Sequence, residues 1–410
     1  MSPLMATSEA QRRVYFIANG PFGTHFAGGD IHFMHLARGA LAAGHAVVFI
    51  GGMATKYHLE HNGIPAPVLL TDSKQPTDSR CTGVVGQLKL LFHYVGKLLR
   101  TRKHLSAIGP HDVVYAVSDY WVDTLPAIWA HAALKMMILH MRAPAVHEVL
   151  FSRRADIAGA RLGALHYAVS QWLSLALFRR LANKKVLCVH PLSEEFLHTR
   201  GFSAQETAYI PVGLDQQLAD RVAVQEKKYD LIWIGRIHPQ KGLVDLVEIL
   251  HFLSQNLMGF RAVLVGDVAA TLAESCAQRG LAEQIEFSGL VQGERKFELI
   301  KGSRLMLIPS HHEGWPAVIG EALICRVPVV GYALPNYEPI TQDLMAYTPC
   351  YQIHTLAQRA LEMLLQLREG RQLLNGDKLQ VFCSTMSVES MQHKFNALLA
   401  EHLAAQIKSS

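Results

Sequence analysis

Ile308-Pro-Ser-His-His-Glu-Gly-Trp-Pro-Ala-Val-Ile-Gly-Glu-Ala-Leu-Ile-Cys-Arg-Val-Pro-Val-Val330 is the stretch whose reading decides the fold. The apolar run from Leu305 to Ile308 predicts a buried parallel strand. A polar loop from Ser310 to Gly314 follows, and Pro316 sits where a helix begins. Val327 to Val330 predicts a second strand after that helix. Strand, glycine-bearing loop and helix N-terminus together aim unpaired backbone N–H groups at one point, an arrangement that suits a phosphate. Glu313 in the loop and Glu321 one to two turns into the helix frame that point. Carboxylates placed there suit the hydroxyls of a ribose and a hexose, as charge-assisted acceptors, rather than the phosphates. The stretch reads as a cradle for a sugar nucleotide.

Upstream, Tyr229 to Ile234 predicts a strand that empties into Gly235-Arg236-Ile-His-Pro-Gln-Lys241-Gly242 and a helix from Leu243. Arg236 offers a planar fork for phosphate oxygens, and Lys241 offers a point charge beside a glycine that lets backbone come close. Arg261 to Gly266 and Ile285 to Ser288 continue a β and α alternation. The same grammar opens the chain. Val14 to Ala18 is a strand, a glycine-rich loop through Gly28-Gly29-Asp30 follows, a helix runs from Ile31 to Ala43, and Ala46 to Ile50 is the next strand. Asp112 to Val117 and Lys135 to Met141 are further apolar strands with a helix between them. The second carries His140 at its carboxyl end, where a doubly wound sheet opens its crevice; His131 and His147 are weaker candidates.

At 410 residues the chain is long enough for two domains, each with its own core. Half the residues are hydrophobic and 18% charged, as in a soluble globular enzyme. A net charge of +5 is mildly basic and lacks the concentrated stripe of a nucleic-acid binder, so no nucleic-acid partner is expected. The six cysteines, Cys81, Cys188, Cys276, Cys325, Cys350 and Cys383, form no C-x-x-C pair and suggest neither zinc nor disulfides, which fits a reducing cytoplasm. Met1 to Arg13 is polar and reads as no secretory signal. No apolar run is long enough to predict a spanning helix.

Glu313-x7-Glu321, with Gly314 and Pro316 inside it and Pro328-Val329-Val330 after it, resembles the signature of family 4 retaining glycosyltransferases of the GT-B fold. Gly235-Arg236-x4-Lys241-Gly242, the Gly28-Gly29 loop and Pro211-Val-Gly-Leu-Asp215 match further segments of that family. The resemblance implies an α/β chain of two Rossmann-like, doubly wound parallel-sheet domains facing a central cleft. It implies an acceptor-binding domain over residues 1–215, a linker over 216–228, a nucleotide-sugar domain over 229–388 and a last helix over 389–410 that crosses back to the first domain. It gives His140, Arg236, Lys241 and Glu313 to catalysis, with Glu313 on the transferred sugar, Glu321 on the ribose and Arg236 and Lys241 on the diphosphate. Gly28, Gly29, Gly235, Gly314, Trp315, Pro316, Ala317, Val318 and Glu338 join Glu321 in binding the donor. Three positions depart from the pattern. Val212 stands where Asn is usual, Arg326 stands where Gly ends the helix, and Pro335-Asn-Tyr-Glu338 lacks both glycines of the family's Gly-Gly-x-x-Glu loop. If Arg326 is left-handed it carries a strain of about 1 kcal/mol.

The expected activity is retaining transfer of a hexose from a nucleotide-diphosphate sugar to a glycan, a lipid-linked glycan or a small-molecule acceptor. No Asp-x-Asp triplet is present, so no metal and no other cofactor is expected. The alternatives are another GT-B activity, such as a sugar-nucleotide epimerase or hydrolase, and a sugar-nucleotide binder without turnover. Gln87 to Lys103, with Leu88, Leu91, Val95 and Leu98 or Leu99 at helical spacing among basic residues, predicts an amphipathic helix. It either packs its apolar face on the sheet with a solvated basic end, the preferred reading, or rests on an anionic membrane at the inner face of the cell. Leu162 to Lys185 poses the same choice.

Overall fold

The computed structural model describes residues 12–21, 23–24, 28–76, 83–151, 161–267 and 270–407. Cys81, most of the N-terminal segment read for a signal, and parts of the first glycine-rich loop lie outside the described residues. The chain divides into two compact units, residues 1–213 with 389–410, and residues 214–388. Each holds one parallel sheet with helices on both faces. The fold is GT-B, built from two Rossmann-like α/β units.

Among the described residues, the first unit has seven strands: β1 (Arg13–Ala18), β2 (Ala46–Gly51), β3 (Val68–Leu70), β4 (Val113–Ala116), β5 (Leu134–Leu139), β6 (Lys184–Cys188) and β7 (Thr207–Tyr209). They lie in the order β3-β2-β1-β4-β5-β6-β7, and every pairing is parallel. Burial on both faces explains their unbroken apolar runs. In β1, Val14, Phe16 and Ala18 enter one core cluster while Tyr15 and Ile17 enter the other, as the two-residue period of a strand requires. The second unit has six strands: β8 (Tyr229–Ile234), β9 (Ala262–Val265), β10 (Ile285–Gly289), β11 (Ser303–Ile308), β12 (Val329–Tyr332) and β13 (Met345–Thr348). Their order is β10-β9-β8-β11-β12-β13, again all parallel. In each sheet the winding reverses at one place, between β1 and β4 and between β8 and β11, and the loops leaving those strands diverge to leave a crevice.

Two elements differ from expectation. The first helix is Gly28–Ala42, so Gly28 and Gly29 form its opening turn rather than the loop before it. Asp30 in that turn complements the positive end of the helix dipole. A Cβ on Gly29 would come within 3.2 Å of His140 Nε2, so glycine lets the helix start this early. The amphipathic helix, Gly83–His104, packs on the unit with its polar stripe and turns the apolar one outward. Tyr94, Lys97 and Thr101 are buried, while Leu88, Leu91, Val95 and Leu99 are exposed. The cause is Lys97. Its ammonium donates to the Asn19 and Pro21 carbonyls at 2.9 and 3.2 Å and pairs with Asp72 at 3.2 Å. Removing that cation from its partners would cost more than burying the row of leucines would gain.

The stretch 216–228 begins as the short helix Gln216–Arg221, capped by Asp215 Oδ1 accepting from Leu218 N at 2.8 Å, and Ala219 and Val222 join the second unit's core. The last helix, Val388–Ile407, belongs to the first unit. Met391, Phe395 and Leu399 are fully buried there, and the Phe395 ring lies 5.7 Å from Tyr115 and 6.2 Å from Phe16. A Cβ on Gly39 would strike Gln392, so a glycine permits this close helix approach. The described cysteines are free, and no described helix is long and apolar enough to cross a membrane.

Candidate functional site

In the second unit the crevice loops follow β8 and β11. Gly242, at φ 65°, is left-handed, and a Cβ there would lie 1.9 Å from the Pro309 carbonyl oxygen. Only glycine lets the 238–242 turn sit directly on the segment leaving β11. The contact is sealed by His311 N donating to the Gln240 carbonyl at 2.8 Å. It places Lys241 against Glu313, 72 residues away in sequence, in an ion pair whose side chains are 13% and 7% exposed. Arg236 lies in the same loop, exposed. Gly235 packs against Trp233 and under Gly266, where a Cβ on Gly266 would meet the Gly235 oxygen.

Gly314 and Trp315 finish the loop, Pro316 is the N-cap of helix Ala317–Ile324, and Val318 lies partly buried in its first turn. The Trp315 indole N–H is buried without a partner. Glu321, further along this helix, pairs with Lys296 at 2.6 Å, a residue that sequence reasoning passed over. Its other carboxylate oxygen is buried and unpartnered. Glu338 opens the short helix Glu338–Thr341 and is exposed. Asn336 is the member of that segment that reaches the loop. Its amide donates to the Glu313 carbonyl at 2.8 Å and to the Gly314 carbonyl, holding Glu313 in place where the resemblance led to an expectation of glycines. Behind the loop, Asp245 accepts from Tyr332 at 2.5 Å and bonds His311 Nε2 at 2.9 Å. Asp245, like Lys296, gave no sequence signal because its role depends on residues that are neighbours only in space.

In the first unit a cavity of about 420 Å³ opens at the β1/β4 reversal, lined by Gly29, Asp30, Asp119, Tyr120, His140 and Tyr167 among others. His140 is brought to Gly29, and its Nε2 lies 3.3 Å from the Val117 carbonyl. Burial holds the imidazole below its ordinary pKa, so it is neutral at neutral pH. His32 packs edge-on against it at 5.6 Å. Gly28 is exposed at the helix start, with nothing within 4 Å of a Cβ built on it. Asp119 and Asp123 are buried beside the cavity, and desolvation raises them to about 6 and about 7. Asp119 accepts from Tyr167 at 2.9 Å and Gln171 at 2.5 Å. Asp123 accepts from Asn19 N, Gly20 N and Ser118 Oγ at 2.6, 3.1 and 2.5 Å. Neither carboxylate was singled out from the sequence, since a lone Asp after an apolar strand carries no pattern. The two sites can each do one thing: the second unit offers cations and backbone N–H groups to an anion with carboxylates beside them, and the first offers hydroxyl-binding groups in a cavity.

Comparison with known proteins agrees with this geometry. Residues 215–372 match the family of glycosyl transferases group 1. The chain is 26% identical over 152 residues, 34% of its length and 36% of the relative's, to a putative teichuronic acid biosynthesis glycosyltransferase, TuaC, of Bacillus subtilis. The chain spans about half the length, or less, of four such curated relatives. In fold it is similar to Anabaena Alr3699/HepE in complex with UDP and glucose, with a TM-score of 0.68 at 17% identity over 95% of this chain and 100% of that one. It is also similar to sucrose-phosphate synthase (tll1590) from Thermosynechococcus elongatus, with a TM-score of 0.71 at 15% identity over 96% and 100%. The likenesses to solved structures show the GT-B fold.

Proposed function

We propose that this GT-B chain is a retaining hexosyltransferase. It moves a sugar from a nucleotide diphosphate to a glycan, a lipid-linked glycan or a small-molecule acceptor in the cytoplasm. The observation that carries the reading is the Lys241–Glu313 pair at the reversal of the second sheet, beside Arg236 and the start of helix Ala317–Ile324. A diphosphate entering there competes for Lys241, and the freed Glu313 carboxylate takes hydrogen bonds from the sugar's hydroxyls. Glu321, with Lys296 beside it, suits the ribose. A relative of similar fold solved with UDP and glucose makes UDP the first donor nucleotide to try.

The bond from the anomeric carbon to the β-phosphate oxygen breaks, with its electron pair leaving on the phosphate. Arg236, Lys241 and the helix N–H groups oppose that growing charge, and fixed donors in a water-poor site supply several kcal/mol, on the order of those measured for oxyanion holes. The acceptor oxygen bonds to the same carbon from the same face and passes its proton to the departing phosphate. No metal takes part in this scheme, so a chelator should leave turnover unchanged. The first unit's cavity, with His140 and Gly29 in its wall, is assigned to the acceptor.

Lys241→Ala and Glu321→Ala should each abolish donor turnover, measured as nucleotide diphosphate release, while circular dichroism stays that of the parent. Near-normal turnover in both variants overturns the reading. Release of free or epimerised sugar without an acceptor product replaces it with the hydrolase or epimerase reading.

A further inference from the structure

We propose that the first unit carries a docking face for an anionic lipid bilayer, built from three helices and a groove that clamps a lipid phosphate between Arg142, Arg179 and Arg200. The inference extends the reading above, which admits a lipid-linked acceptor, and rests on it only there.

The face consists of helices Gly83–His104, Val146–Phe151 and Arg161–Phe178, the third packing against both of the others. Because Lys97 turns the first helix inward by its polar stripe, the apolar stripe faces out, with Phe92 73% exposed. Phe151 and Trp172, on the other two helices, are 81% and 62% exposed. Large apolar side chains gathered like this mark an interaction surface. Their surroundings name the partner. Neither long helix has an acidic residue, and Lys89, Arg100, Arg102 and Lys103 stand exposed on the first. A face that presents aromatic side chains and many cations, with one carboxylate among its described helix residues, Glu148, turned to accept from Ala145 N at 2.8 Å, fits the acyl boundary and the phosphates of an anionic bilayer.

The groove is a cavity of about 490 Å³ at the edge of this face, with Trp172 and Pro144 in its wall. Arg142 and Arg200 both lay their guanidinium groups over the Phe196 ring, 5.4 and 5.0 Å from its centroid. Arg179 donates to the Arg200 carbonyl at 3.5 Å. None of the three forms an ion pair among the described residues. Three guanidiniums held by a ring and a carbonyl, without a carboxylate, keep their donor edges for phosphate oxygens. The apolar wall suits the chain to which a lipid phosphate is attached.

The test is co-sedimentation at low salt with vesicles of phosphatidylcholine alone and of phosphatidylcholine doped with phosphatidylglycerol. The parent protein should pellet with the doped vesicles and stay in solution with the neutral ones. Arg142→Gln/Arg179→Gln/Arg200→Gln should weaken pelleting at least about tenfold, the loss expected for several cations near an anionic surface. Phe92→Ser/Phe151→Ser/Trp172→Ser should do the same at unchanged charge, and both variants should keep the parent's circular dichroism and melting temperature. Absence of pelleting by the parent, equal pelleting with neutral vesicles, or unaltered pelleting of the arginine variant overturns the inference. So does full displacement by soluble glycerol phosphate, which would make the groove a site for free phosphate. The readout needs no turnover, so its failure and the failure of the transferase reading are separable.

Discussion

Arg326 shows what one residue's backbone can reveal. Helix Ala317–Ile324 ends with Val327 N bonding the Ala322 carbonyl and Arg326 N bonding that of Leu323, the two bonds of a Schellman turn. That turn needs a left-handed residue, and Arg326 is one, at φ 58°. Arg326→Gly should therefore raise stability by about 1 kcal/mol in a denaturant melt, with donor turnover unaltered. Asp123 gives a second case. Burial raises its carboxyl from 3.8 to about 7, so the folded state holds the proton more tightly than the unfolded chain. The stability this group contributes is complete below its unfolded pKa and is lost as the pH rises through about 7. Asp123→Asn keeps the shape and the bonds to Asn19 and Gly20. It should flatten the fall in melting temperature from about pH 4 to about pH 7, where a single group contributes at most about 1.4 kcal/mol per pH unit.

At the scale of the element, helix Gly83–His104 shows how a single buried cation overrides amphipathic periodicity. The spacing of Leu88, Leu91, Val95 and Leu99 is that of a packing face. The helix instead packs on Tyr94, Lys97 and Thr101, which share the same three- and four-residue spacing. Lys97→Met should destabilise the protein by about 3 kcal/mol, because Asp72 is left buried without its cation, beside the Met53 N–H and a His93 imidazole that burial holds below its ordinary pKa. Asp72→Asn added to it should recover part of that loss. Recovery by the double variant in urea melts separates a charge effect from a packing effect. If the single variant is neutral, the ammonium does not set the helix's orientation.

At the scale of the molecule, the chain leaves its first unit at Gly213 and returns to it at Glu389. The returning helix completes a core begun by β1 and β4, with Phe395 against Phe16 and Tyr115. Phe395→Ala should cost the first unit about 3 to 5 kcal/mol, the usual price of a buried aromatic removed. Hydrogen exchange should show the loss in β1, β4 and helix Gly28–Ala42, and leave β8 and β11 protected. Equal loss of protection in both units would mean that they unfold together.

The sequence by itself determined the two parallel sheets and the residues of the second crevice. Buried strands are written as contiguous apolar runs, and the turns that face the crevice are written in glycine and proline; both signals are local. By resemblance it also carried the expectation that residues 236–241 and 313–321 converge on one diphosphate. Only the tertiary structure decided that Lys241 and Glu313 themselves meet, because the meeting depends on a left-handed Gly242 lying on a carbonyl from another strand. The same holds for Lys296 beside Glu321, Asn336 beneath Glu313 and the outward turn of the leucine stripe. In each case the deciding energy is the pairing of a charge or amide with a partner distant in sequence, which no periodicity records.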